Sequence, residues 1–133
     1  MKIVLTKEES EKYFHTALCN AVSTGVMEGY GLELTYDKQK YKEAKAVLTL
    51  FNKMESPCIE DVWLQMLKVG DILTFTDVEG EGEMTSTITI KDVHRRVKLA
   101  PVADLLNMYL ENDDAETADV ILQTVFYKEV IFG

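Results

Sequence analysis

His15, His94, Cys19 and Cys58 are the only histidines and cysteines in this 133-residue chain. Together they would complete a Cys2His2 zinc set. His15 and Cys19 are four residues apart, a spacing that aims two helical side chains the same way. Structural zinc sites usually draw a ligand pair from each side, whereas Cys58 and His94 stand alone. His15 and Cys19 also border an apolar helical stripe, where half-buried Cys and His commonly serve packing. Packing is the favoured reading. Cys58, near the start of a helix, could act as a nucleophile if its thiol pKa were lowered. That chemistry needs a base, for which His94 or His15 is the candidate, and the local signatures of cysteine enzymes are missing. Gly-x-Ser-x-Gly, His-Glu-x-x-His and glycine-rich phosphate loops are absent too. The chain is therefore expected to be non-enzymatic, with no cofactor and no metal.

A second constellation lies in Asp71–Ile90, where two β-branched alternating runs flank the tip Asp77-Val-Glu79-Gly-Glu81-Gly-Glu83. Acids at alternate positions followed by glycine resemble a calcium loop. Position twelve of such a loop is here Ile88 rather than Glu, and strands replace the required flanking helices. A charged turn presented to a partner fits better. Residues 70–133 carry 13 acids against 5 bases, while residues 1–69 carry 10 against 9. Such a field repels phosphate backbones, so direct nucleic-acid binding through this half is disfavoured. The expected partner is a protein with a basic surface, met by Asp77, Glu79, Glu81 and Glu83 and by a second acidic corner, Glu111, Asp113, Asp114 and Glu116. Lys38, Lys40, Lys42, Lys45 and Lys53 form the only locally basic segment, which reads as a solvated helix face.

The elements that must position these residues follow from caps and periods. Thr6 and Glu9 have capping-box spacing, and Tyr13, Phe14, Ala17, Leu18 and Ala21 continue as a helical stripe. Leu32–Tyr36 alternates like a short strand. Asp37 starts a second helix; Ser56-Pro57 starts a third with proline at its first position. After the hairpin (about 72–90), Thr89 with Asp92 opens a short helix, Pro101 another, and Asp113 with Glu116 caps the last. The result is one α+β domain, residues 1–133, with helices on a small, mostly antiparallel sheet.

No apolar run approaches the roughly 18 residues of a membrane span. Met1–Thr6 is too short an apolar stretch for a signal peptide, and two cysteines are too few for a disulfide scaffold. A reducing, cytoplasmic setting is expected. The apolar terminus Val130-Ile131-Phe132 should dock on the core or on a second copy of the chain, which leaves a homodimer open.

The strings Glu60-Asp61-Val62, Ile88-Thr-Ile-Lys-Asp-Val93-His-Arg-Arg-Val97 and Asp113–Phe126 with terminal Ile131-Phe-Gly133 resemble small uncharacterised proteins of phages and mobile elements from gut bacteria. The likeness covers most of the chain and carries over no activity and no functional residue. It implies an accessory protein that binds a host component, with mimicry of nucleic-acid charge as one version. The alternative class is a small-ligand or metal-binding module, dimeric in one form.

Overall fold

Local hydrogen bonding starts most of the helices. In the computed structural model, which describes residues 3–133 and so leaves Met1 and Lys2 of the N-terminal apolar stretch outside the described residues, α1 (Lys7–Ala17) begins with a reciprocal cap. The Glu9 amide donates to Thr6 Oγ1 at 3.1 Å, and the Thr6 amide donates to Glu9 Oε1 at 2.9 Å. The helix runs on as a π turn, Leu18–Val22. Asp37 accepts from the amides of Gln39 and Lys40 and opens α2 (Lys38–Leu50).

The third helix starts two residues later than its proline suggested. Cys58, not Ser56, is the N-cap of α3 (Ile59–Lys68), and the Cys58 amide donates to Asp61 Oδ2 at 3.0 Å. The reason is the capping-box spacing: an acid stands three residues after Cys58, whereas Ile59 stands three after Ser56. The last helix, α6 (Ala115–Tyr127), is likewise capped by Asp114, which accepts from the Thr117 amide at 2.9 Å. Asp113, expected in that role, instead accepts from the side chain of Asn20. Between them lie α4 (Ile90–Arg96), opened by Thr89 and Asp92, and α5 (Val102–Tyr109).

Strands β1 (Leu32–Thr35), β2 (Leu73–Asp77) and β3 (Ser86–Ile88) form an antiparallel sheet in the order β1-β2-β3. Leu32, Leu73, Phe75 and Ile88 are buried on one face. The other face carries threonines that pair across strands, Thr35 with Thr76 at 2.9 Å and Thr74 with Thr87 at 2.8 Å. This alternation is the period-two pattern read from the sequence. Among the described residues the fold is α+β: six α-helices on a three-stranded antiparallel sheet. One hydrophobic cluster joins them, with the ring of Phe126 of α6 tilted against those of Phe14 and Phe75 at centroid distances of 6.4 and 4.2 Å. Helix α1 packs against α3, α4 and α6, so its flanks decide which distant residues can meet.

The apolar terminus docks on its own chain. Phe132 stacks on Tyr30 at 4.9 Å and meets Tyr127 edge-on at 5.7 Å. The buried Gln123 side chain accepts from the amides of Ile131 and Phe132, both at 2.8 Å. Among the described residues, no helix is long and apolar enough to cross a membrane.

Candidate functional site

At the hairpin tip, Asp77 differs from its acidic neighbours. It is 8% exposed, and its carboxylate accepts backbone N–H groups of Gly80 at 2.6 Å, Met84 at 3.1 Å and Glu79 at 3.2 Å. Those bonds, that from Gly80 foremost, hold its carboxyl below the usual range. A carboxylate so engaged shapes the turn and is spent as a partner contact. Gly80 is part of the same device, because an added Cβ would lie 2.4 Å from Asp77 Oδ2. Held on this frame, Glu79, Glu81 and Glu83 are exposed, and among the described residues none of them is ion-paired.

The corner between α5 and α6 is a second acidic patch. Asp114 is engaged locally as the cap of α6 and Asp113 by the distant Asn20 side chain, while Glu111 and Glu116 are exposed. Here Asp104 joins them. Burial raises its carboxyl pKa, and the charges of Glu116 and Asp114 add to the rise, a sign of like charges crowded together. The two patches sit at opposite ends of α6. The tip reaches its C-terminal end, where Tyr127 Oη donates to the Met84 carbonyl at 2.7 Å, and a 13-residue helix spans roughly 20 Å. The eight acids therefore do not form one surface.

The chain also gathers a basic cleft, four of whose five residues lie within 91–98, a second basic segment that the sequence reading passed over. Lys7 at the start of α1 comes beside Lys91, His94, Arg95 and Lys98, around an open volume of about 370 Å³. The segment at 38–53 is thus not the sole basic region.

The histidines and cysteines are sorted differently from the four-ligand set. His94 Nε2 lies 2.7 Å from Glu11 Oε2, and Lys68 approaches the same carboxylate at 3.9 Å, so Glu11 ties α1 to α3 and α4. His15, one turn further along α1, meets Asp61 of α3: Nε2 to Oδ1 is 2.7 Å. Cys58 completes this group. Ligand atoms of His15, Cys58 and Asp61 all lie within 4.8 Å of one another, the one such metal-competent group among the described residues.

Asp61 is the residue that sequence reasoning missed. Its signal was local, the capping spacing to Cys58, but only packing brings it to His15. Burial pushes its carboxyl up, yet hydrogen bonds from Cys58 and His15 outweigh burial and leave it lowered. The Cys58 thiol is raised, by burial first and by its hydrogen bond to the Asp61 carboxylate. Cys19 is pushed up to about 11 by burial and by the charges of Glu60, Cys58 and Asp61. Both shifts run opposite to the lowered pKa that activates a thiol. Beside the His15–Asp61 pair opens a groove of about 290 Å³, bordered by Lys12, Leu48, Met54, Leu64 and Lys68.

Comparison with protein-family models, curated proteins and solved structures found no significant match to the chain.

Proposed function

We propose that the protein is a non-enzymatic binding protein whose hairpin tip engages a basic surface on a partner protein. The observation that carries this reading is the division of labour at the tip. Asp77 is consumed in fixing the turn, which leaves Glu79, Glu81 and Glu83 exposed on a preorganised frame. Preorganised charge loses little entropy on binding. Complementary fields speed association and select partners more than they add affinity. The raised thiols of Cys19 and Cys58 weigh against nucleophilic catalysis. With the terminus docked on its own chain, that tail argues less for a second copy. The resemblance to phage and mobile-element proteins makes a host protein the partner to look for.

The test is to compare wild-type protein with the E79K/E81K/E83K variant as baits in host lysate, with mass spectrometry of what co-purifies. A basic partner should be retained by wild type, lost by the variant, and bound more weakly as salt rises. Equal capture by both baits would clear the tip of this role.

A further inference from the structure

We propose that His15 Nε2, Cys58 Sγ and the Asp61 carboxylate form a zinc site at the junction of α1 and α3, with a fourth position open to the adjoining groove. The donor set is one imidazole, one thiol and one carboxylate, all ordinary zinc ligands, and three protein ligands plus a free position is an established zinc arrangement. Tetrahedral zinc with bonds of about 2.0 to 2.3 Å sets ligand atoms roughly 3.3 to 3.7 Å apart. The ligand atoms are already gathered near that spacing: His15 Nε2 and Asp61 Oδ1 are 2.7 Å apart, and all three lie within 4.8 Å of one another.

The surroundings favour the same assignment. Asp61 Oδ2 is fixed by the Cys58 amide at 3.0 Å, so Oδ1 is the oxygen left for the metal. This bond ties the N-cap Cys58 to Asp61 in the first turn of α3, which holds the two ligands together. His15 projects from a helix packed against α3. His15 and Asp61 both line the groove, so water can reach the open position. Cys19 lies outside the 4.8 Å group, which makes it a control rather than a ligand. In the metal-free protein His15 Nε2–H donates to Asp61 Oδ1 at 2.7 Å; on binding, the neutral imidazole moves that proton through solvent to Nδ1 and so presents a bare Nε2 to the metal. Asp61 is ionised at neutral pH, so the proton that leaves is that of the Cys58 thiol, and a sulfur–zinc bond replaces the sulfur–hydrogen bond.

The experiment titrates metal-free full-length protein with zinc by calorimetry in buffers of different ionisation enthalpy, and with cobalt by absorption. One zinc per chain is expected at micromolar affinity or tighter, with release of about one proton at pH 7. Cobalt should show a thiolate charge-transfer band. Cys58→Ser keeps the amide that caps α3, and His15→Gln leaves that cap untouched. Each should weaken zinc binding about a hundredfold and abolish or alter the cobalt band, with the far-ultraviolet circular dichroism unchanged. Cys19→Ser should bind within about threefold of wild type. Absence of stoichiometric binding, equal affinity in wild type and Cys58→Ser, or a loss with Cys19→Ser as large as with Cys58→Ser would each overturn the site.

Discussion

The imidazole of His15 and the carboxylate of Asp61, 46 residues apart in the chain, meet at 2.7 Å and join the first and third helices. The same carboxylate caps α3 through Cys58. Asp61 therefore serves two structural purposes and His15 one.

That asymmetry sets the cost of removing each. Asp61→Ala loses a helix cap together with the His15 bond and should destabilise the fold by about 2 kcal/mol. His15→Ala loses one hydrogen bond between partly exposed groups and should cost about 1 kcal/mol or less. Urea unfolding with an unchanged denaturant slope would measure both. Equal losses would show that the cap contributes nothing.

Acid should destabilise the protein in a defined window. Asp61, Asp77 and Asp114 have lowered folded-state pKa values, against about 3.9 for an unfolded aspartate. The unfolded chain binds more protons between those values, so stability rises with pH there. Their contribution is complete above the unfolded value and is lost as pH falls through the folded ones. Asp104 is raised and has the opposite sign: its favourable contribution is present below the unfolded value and lost as pH rises through the folded one. Thermal melts from pH 7 to 2.5 should therefore fall steeply below about pH 4. Asp77→Asn should flatten that fall. Asp104→Asn should raise the melting temperature at pH 7 and leave it little changed at pH 3.

Two glycines should differ in their tolerance of alanine. At Gly80 the new methyl would lie 2.4 Å from Asp77 Oδ2 and force the turn open, whereas at Gly29 nothing lies within 4 Å. Gly80→Ala should cost about 1–3 kcal/mol. Gly29→Ala should fall within about 0.5 kcal/mol of wild type. Chemical denaturation separates the two, and a neutral Gly80→Ala would refute the fixed tip.

The docked terminus depends on one amide side chain. Gln123, 1% exposed, accepts from two tail amides and donates to Asp119 and to the Phe132 carbonyl. Gln123→Ala should cost about 2–3 kcal/mol, since it strands polar groups and leaves a cavity. Phe132→Ala removes one ring from the Tyr30–Tyr127 cluster and should cost about 1–2 kcal/mol. Hydrogen exchange of the Ile131 and Phe132 amides should speed up in both variants, and protection retained in Gln123→Ala would exclude that side chain as the anchor.

What the sequence determined by itself is whatever closes within a few residues. The Thr6–Glu9 and Thr89–Asp92 caps, the Asp37 cap, the hairpin and the alternation of β2 were all legible, because each is a hydrogen bond or a side-chain period over two to four positions. Two helix starts were misplaced by neighbouring cap signals. Ser56-Pro57 drew the start of α3 away from Cys58, and Asp113 drew the cap of α6 away from Asp114. Tertiary structure alone decided which groups meet across long stretches of chain. It gave His94 to Glu11 and His15 to Asp61, brought Lys7 to the bases of α4, and split the acids between the two ends of α6. Residues 46 or 83 positions apart meet only when packed helices fix their flanks, and one chain's spacing carries no record of that packing. For the acidic hairpin, composition revealed the charge. Only the fold showed that Asp77 organises the turn while Glu79, Glu81 and Glu83 face solvent.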